Sequence, residues 1–215
     1  MTSPIHHDPT SETPAALRHL GCPVDSDQWA GLGFEMTQSG SVRFDQLEVD
    51  TRSELVLGFD RELPLDLGPE VGVVKAANNG TVGDVHPNSV VGVDHIVLMG
   101  STPDEISQRC ADGGVPIQRI RTADGPLGPM TQLFCRVGPT VLELVSVGED
   151  TPLCLWGITF VSADLNNTVQ SWAPWATKPK PAVQPGRSIA TLDTMTLNIP
   201  TRVAVMSQRV RSHSR

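Results

Sequence analysis

Two short runs near the middle of the chain alternate in the way that β-strands do. They cover residues 93–98 and 140–145 and are rich in β-branched side chains. Side chains two residues apart share one face of a strand, so His95 points to the same side as its neighbours at 93 and 97. Glu143 likewise shares a face with the two valines that flank it at the same spacing. The pattern therefore predicts one imidazole and one carboxylate on strands that open and close a single segment.

The segment between these two strands predicts a helix and two further strands. Thr102 offers a hydroxyl cap, Pro103 suits a first helical turn, and the acids that follow favour the positive end of the helix dipole. We expect this helix to reach residue 112 and to end at the two glycines that follow. Strands are expected over 115–122 and 130–137, with a loop over 124–129 between them. The predicted order is strand, helix, strand, strand, strand.

The last third of the chain predicts the same order again. Residues 153–161 have a strand pattern, and Asp164 begins a helix that reaches about Trp172. A long loop rich in proline and lysine follows, and the remaining strands are expected over 186–192 and 202–207. A repeat of roughly 55 to 60 residues implies two copies that must pack together to bury a core.

The N-terminal part of the chain predicts a less complete unit. We expect helices over 13–20 and just before Gly33, and then three strands, over 41–49, 54–59 and 71–76. Glycine and proline between 78 and 89 indicate a linker. The predicted organisation is a disordered leader (1–12), an extension with its linker (13–90), a first module (91–150), a second module (151–208) and a basic tail (209–215).

Composition narrows the class of protein. The 215 residues carry a net charge of −8, which argues against a general nucleic-acid binder. No apolar run approaches the roughly 18 residues of a membrane span, and the first residues lack the pattern of a secretory signal. The four cysteines have no CxxC spacing, so we expect buried free thiols in a cytoplasmic protein. Basic residues outnumber acidic ones after Leu153, which indicates either complementary faces or a site for an anionic ligand.

The β-α-β-β-β order, with His95 in the first strand and Glu143 in the fourth, resembles the vicinal oxygen chelate superfamily. That superfamily includes glyoxalase I, extradiol dioxygenases and bleomycin-resistance proteins. The resemblance covers about residues 91–208, and segments 156–159 and 185–191 are similar to glyoxalase-like bacterial proteins. It implies an α+β fold in which paired βαβββ modules form a cupped mixed sheet, here with a degenerate N-terminal extra module. The concave face of that sheet would hold the active site.

The resemblance also implies a metal site, which this sequence supplies only in part. Members of the superfamily take one His or Gln and one Glu from each module, and Zn, Fe, Mn or Ni suits such ligands. Residues 153–210 contain no His and no Glu, so His95 and Glu143 are an incomplete set of metal ligands. Three arrangements stay open: a metal-free His95 on a cavity wall, a partial site completed by Gln132, Asp94, water or substrate, and a symmetric site in a homodimer. The expected cofactor is none or a weakly held divalent metal.

The same two residues are the candidate catalytic pair, because a carboxylate beside an imidazole suits proton transfer next to a carbonyl. The candidate substrate-binding residues are Gln132, Phe134, Trp156 and Arg187. Tryptophan at such a position is ordinarily a core or loop anchor, and Arg187 is either a clamp for an anion or a surface salt bridge. The leading prediction is an enzyme of lyase, isomerase or dioxygenase type that acts on a small oxygenated metabolite. The alternative is a non-catalytic protein that binds or sequesters a small molecule.

Overall fold

The computed structural model describes residues 13–77, 83, 86–125 and 128–209. Within them the chain forms strands and helices in the following order. The first part contains β1 (Leu17–Cys22), α1 (Ser26–Gly31), β2 (Val42–Arg43), β3 (Glu48–Thr51), β4 (Leu55–Phe59) and β5 (Val71–Lys75). The middle part contains β6 (Val90–Met99), α2 (Pro103–Asp112), β7 (Ile117–Gly125), β8 (Gly128–Val137) and β9 (Thr140–Ser146). The last part contains β10 (Cys154–Ser162), α3 (Leu165–Ser171), β11 (Lys180–Pro181), β12 (Ser188–Thr191) and β13 (Arg202–Ser207).

The larger sheet has eight strands in the order β11-β12-β13-β10-β6-β9-β8-β7. The first and last strands of each unit are parallel neighbours, β6 with β9 and β10 with β13. The two units meet where β6 and β10 pair antiparallel. Both units therefore have the predicted strand-helix-strand-strand-strand order, although β11 is only two residues long.

The smaller sheet repeats the centre of the larger one in a shortened form. Its order is β2-β3-β1-β4-β5, with β1 parallel to β3 and β4 parallel to β5. The first strands of these two pairs, β1 and β4, run antiparallel, as β6 and β10 do. The N-terminal extension is thus built on the same plan of two parallel pairs that meet at their first strands.

The structure corrects three predictions about local structure. Residues 13–20 do not form a helix, because Leu17 begins a strand that pairs with β3 on one side and β4 on the other. The single strand predicted over 41–49 is two short strands, and the loop predicted over 124–129 is shorter because β7 and β8 extend into it. The predicted leader lies outside the described residues, as does most of the predicted linker.

The two sheets share one hydrophobic core. Trp29 on α1 contacts Phe34 and Phe160 edge-on, with ring centroids 5.6 and 5.7 Å away, and Phe160 belongs to the large sheet. The second helix contributes Ile106 and Cys110 to the same core. Thr102 caps that helix as the sequence predicts, since its hydroxyl oxygen accepts from the backbone N–H of Glu105. One face of the large sheet therefore packs into this core.

All four cysteines are free thiols. Cys22, Cys110 and Cys135 are buried, as predicted, whereas Cys154 is exposed at the start of β10 and departs from that prediction. Among the helices of the described residues, none combines the length and apolar character of a membrane span.

Candidate functional site

The face of the large sheet that points away from the shared core carries the candidate site, and we call it the front face. Ile96 and Leu98 on β6 belong to the core cluster, so the alternate residues His95 and Val97 point to the front. Val97, Val145 and Met206 also lie on this face and are buried, although none belongs to the core cluster. These residues have low exposure because the sheet curls around its own front face.

Strand register places the predicted residues side by side at the centre of this face. His95 pairs with Val141 on one side and with Thr159 on the other. One row further along β6, Val97 pairs with Glu143, which in turn pairs with Phe134 on β8. His95 and Glu143 thus share the front face as diagonal neighbours on adjacent strands, a spacing of about 7–8 Å between backbones.

A bulge in β6 adds a third acid–base group that the alternation pattern did not predict. Thr159 pairs with His95 while Phe160 pairs with Val93, so Asp94 is an extra residue without a partner in β10. A bulge redirects a side chain, and here it brings two consecutive residues together. The Asp94 carboxylate oxygen Oδ2 lies 3.0 Å from Nδ1 of His95.

Arg187 completes this cluster from β12's entry loop. Its Nη1 donates to Oδ1 of Asp94 and to Oε1 of Gln184, each at 2.5 Å, and its Nε donates to the carbonyl of Ser207 at 2.7 Å. The side chain of Arg187 is 2% exposed. The surface salt bridge considered for this residue is therefore wrong, and its guanidinium is tied inward rather than offered to a ligand.

These contacts set the protonation state of the cluster. Burial would raise the pKa of Asp94, but the hydrogen bonds from His95 and Arg187 and the nearby positive charge outweigh it and lower the pKa to about 2. An ionised carboxylate only accepts hydrogen bonds, so Nδ1 of His95 must carry the proton toward Asp94. In the neutral imidazole, Nε2 is then the atom with the free lone pair.

The lowered pKa of Asp94 predicts a pH dependence of stability. The ordinary pKa is 3.8, so the folded state gains about 2 kcal/mol from this group above pH 4 and loses it as pH falls toward 2. We expect the stability difference between the wild type and Asp94→Asn, measured by urea unfolding, to shrink as pH falls through this window. A difference that stays constant between about pH 5 and the lowest pH at which both proteins fold would contradict the assignment.

Glu143 has its own partner rather than His95. It is 9% exposed, and Nε2 of Gln132 donates to its Oε1 at 2.5 Å. The other amide atom, Oε1 of Gln132, is buried without a hydrogen-bond partner in the described chain. No hydrogen bond joins His95 to Glu143 within the described residues, so the arrangement is two pairs side by side, Asp94–His95 and Gln132–Glu143.

The remaining predicted residues surround these pairs at different depths. Phe134 is half-buried between Glu143 and Arg119, whose guanidinium carbon lies 5.7 Å from its ring centroid. Trp156 is 39% exposed at a second bulge, in β10, and Arg202 lies over its ring at 5.0 Å. Thr159 is a front-face residue that sequence patterning missed: it pairs with His95, is 5% exposed, and its hydroxyl has no partner in the described structure.

The donor set does not fit the metal site that the resemblance implies. Among the described residues no three His, Cys, Asp or Glu side chains come together as a metal site would need. The second unit presents Gly157, Thr159 and Ala204 where ligands would have to stand. Asp94 is already held by Arg187, so the two imidazole or carboxylate donors that remain on this face are His95 and Glu143, beside the unpartnered amide oxygen of Gln132.

A similar cluster on the small sheet lies directly over two glycines. Nε2 of His19 lies 3.0 Å from Asp50, which also accepts from Nε of Arg52 at 3.0 Å. A Cβ placed on Gly58 would lie 2.8 Å from Cβ of His19, and one on Gly21 would lie 2.5 Å from Cγ of Arg52. The His19 and Arg52 side chains therefore cover the bare backbone of these glycines and form a closed ion-pair cluster.

Comparison with known proteins identifies the fold. The sequence matches no protein-family model and no curated protein. A mutant of 4-hydroxymandelate synthase from Streptomyces coelicolor superposes with a TM-score of 0.59 at 9% identity, over 94% of both chains. Methylmalonyl-CoA epimerase from Mycobacterium tuberculosis gives a TM-score of 0.46 at 10% identity, over 57% of this chain and 91% of that one. The chain has the α+β fold of paired βαβββ modules found in the vicinal oxygen chelate superfamily, which confirms the predicted fold.

Proposed function

We propose that the chain is an enzyme of the vicinal oxygen chelate type that moves a proton next to the carbonyl of a small oxygenated metabolite, as a lyase or isomerase does. The observation that carries this proposal is the 3.0 Å contact between Asp94 and Nδ1 of His95. It orients the imidazole and leaves the basic Nε2 for a substrate on the front face. A carboxylate that holds a histidine in one tautomer is the usual support for a general base.

The neighbouring groups have roles that complement a base. Nε2 of His95 removes a proton from the carbon beside the carbonyl, and negative charge develops on the substrate oxygen. The Thr159 hydroxyl, directly across from His95, is a donor available to that oxygen. Glu143, held by Gln132 on the adjacent strand, is a second carboxyl group that can exchange a proton with the substrate. Arg187 acts through Asp94 and is a positioning residue.

Solvent deuterium exchange tests this function directly. The purified protein is incubated in D₂O with a panel of 2-oxo acids and their methyl esters, and loss of the proton beside the carbonyl is followed by NMR. The proposal expects protein-dependent exchange with at least one compound that requires His95. Compounds that bind to the front face without any exchange above the protein-free rate would instead favour the alternative, a binding or sequestration protein.

That alternative has an observation of its own. Val97, Val145 and Met206 form a buried apolar floor on the front face, which suits retention of a small apolar ligand without chemistry. The two functions differ in what His95→Ala does. Loss of exchange with binding retained supports the enzyme, whereas unchanged binding of a compound that never exchanges supports sequestration.

The proposed chemistry uses this chain's own acid and base groups, and any divalent metal is expected to be held weakly. Two protein donors leave most coordination positions to water, and such sites bind poorly. We expect the purified protein to contain much less than one Zn, Fe, Mn or Ni per chain by elemental analysis. Chelator treatment is expected to leave its melting temperature and that of His95→Ala equally unchanged. One tightly bound ion per chain, lost in His95→Ala, would contradict this prediction.

A further inference from the structure

Four arginines lie on the front face around the His95–Glu143 centre. At the β7 edge of the sheet, strand pairing places Arg119 beside Phe134 and Arg121 beside Gln132. Arg136 on β8 lies in the same cross-strand row as His95. Arg202 lies at the opposite margin, where it pairs with Gly157. Positive side chains thus stand on both sides of the proposed reaction centre, in a chain whose net charge is −8.

None of these four arginines forms an ion pair within the described residues, whose salt bridges involve other cations. The front face of the described sheet carries two carboxylates, since Asp124 on β7 alternates with Arg119 and Arg121 and lies on the other face. Both are engaged, Asp94 with Arg187 and His95, and Glu143 with Gln132. Unpaired positive charge therefore exceeds negative charge on this face.

Arg202 is the arginine best placed to anchor a ligand. Its guanidinium carbon lies 5.0 Å from the centroid of the Trp156 ring, which restrains a side chain that would otherwise sample many rotamers. Between Arg202 and His95, the rows of the sheet carry Gly157, Thr159 and Ala204. Because these side chains are small, they leave space above the sheet in the half of the site that lacks His and Glu. The second unit therefore offers space and a cation, whereas the first unit offers the acid and base groups.

We propose that the substrate is an organic anion whose carboxylate binds Arg202, whose adjoining carbonyl lies over Gly157 and Ala204, and whose next carbon, which loses the proton, faces His95. This inference rests on the proposed function, since it names the substrate class of the same site. A planar guanidinium pairs with a carboxylate through two parallel hydrogen bonds, which fixes the orientation of the ligand as well as its affinity. Arg202 and Glu143 are three inter-strand spacings apart, at about 4.8 Å per spacing, and this distance suits a small metabolite once the arginine side chain reaches inward.

Matched acids and esters test the proposal. Pyruvate, 2-oxobutanoate and phenylpyruvate, each beside its methyl ester, are titrated into the wild type, Arg202→Gln, Arg202→Lys and the control Lys75→Gln by calorimetry. Lys75 is an exposed cation on β5 of the small sheet, so its loss changes the net charge equally. We expect at least one acid to bind roughly 10- to 100-fold more tightly than its ester, and Arg202→Gln to remove that preference. Arg202→Lys is expected to restore part of it, and Lys75→Gln to change little.

The outcomes separate this inference from the proposed function. Equal affinity for acids and esters, equal effects of Arg202→Gln and Lys75→Gln, or no binding of any acid overturns the anion site. His95-dependent deuterium exchange on the esters alone would keep the proton-transfer function and discard the anion site. Arg202-dependent binding of the acids without exchange would keep the anion site and discard proton transfer. Binding of phosphate or sulfate with the same Arg202 dependence, but of no carboxylate, overturns the choice of carboxylate.

Discussion

His95→Ala is expected to lower the rate of protein-catalysed deuterium exchange by about 10²- to 10⁴-fold, because it removes the general base while leaving the substrate-binding arginine in place. The imidazole side chain is 20% exposed and, within the part of the chain that the structure describes, its one hydrogen bond is to Asp94, so its removal leaves the shared core intact. The loss is therefore expected in the exchange rate rather than in the affinity for an acid, which calorimetry measures separately.

His19→Ala is the matched control for that variant. His19 also pairs with an aspartate at 3.0 Å, but on the small sheet and in the closed cluster over Gly58. The control removes an Asp-paired histidine of similar exposure and is expected to leave exchange unchanged. Equal losses of exchange rate in His95→Ala and His19→Ala would remove His95 from the role of base.

The alternation of side chains predicted that His95 and Glu143 lie on strands, and the resemblance to the vicinal oxygen chelate superfamily implied that these strands are neighbours in one sheet, as β6 and β9 are. The alternation was not sufficient to predict Asp94, because the extra residue that places it beside His95 is defined by the pairing of β6 with β10. Because a bulge depends on how the partner strand pairs, the pattern of residues 93–98 does not predict one. The sequence does show Asp and His at adjacent positions, and in a regular strand these would point to opposite faces.

Strand β1 was missed for a related reason. The segment 17–22 is short and contains a glycine. It forms a strand because it pairs with β3 and β4, and not because its residues have a high β-propensity. Arg187 was predicted as a residue of interest from the glycine before it. Its burial could not be predicted, since its partners at 94 and 207 are distant in sequence and meet only in the folded sheet.

The two sheets hold their His-Asp-Arg clusters in different ways. Both contain a His-Asp-Arg cluster at the first strand of a parallel pair, but glycines at 21 and 58 let the small-sheet side chains lie flat on the backbone. In the large sheet the bulge in β6 places Asp94 beside His95. Gly157 lies next to Arg202 and not beneath the imidazole. The same residue types thus lie over glycine backbone in one sheet and beside a bulge in the other.

Asp94→Ala is expected to reduce the free energy of unfolding by about 3–5 kcal/mol, because it leaves the guanidinium of Arg187 buried without its counter-charge. The Arg187 side chain is 2% exposed, and its two other partners, the Gln184 amide and the Ser207 carbonyl, are neutral. Neither compensates for the loss of a carboxylate. The loss is measured by urea unfolding near neutral pH, with the slope against denaturant checked for a two-state transition.

Asp50→Ala is the comparison that isolates burial as the cause. Asp50 also joins a histidine to an arginine, but Arg52 is 54% exposed and water can solvate it once the carboxylate is gone. That variant is therefore expected to cost no more than about 1 kcal/mol. The double variant Asp94→Leu/Arg187→Met, which removes both buried charges, is expected to recover much of the stability lost in Asp94→Ala. If Asp94→Ala costs no more than Asp50→Ala, or if the double variant is less stable than the single one, then Arg187 does not depend on Asp94 for its burial, and the support assigned to His95 through this pair fails with it.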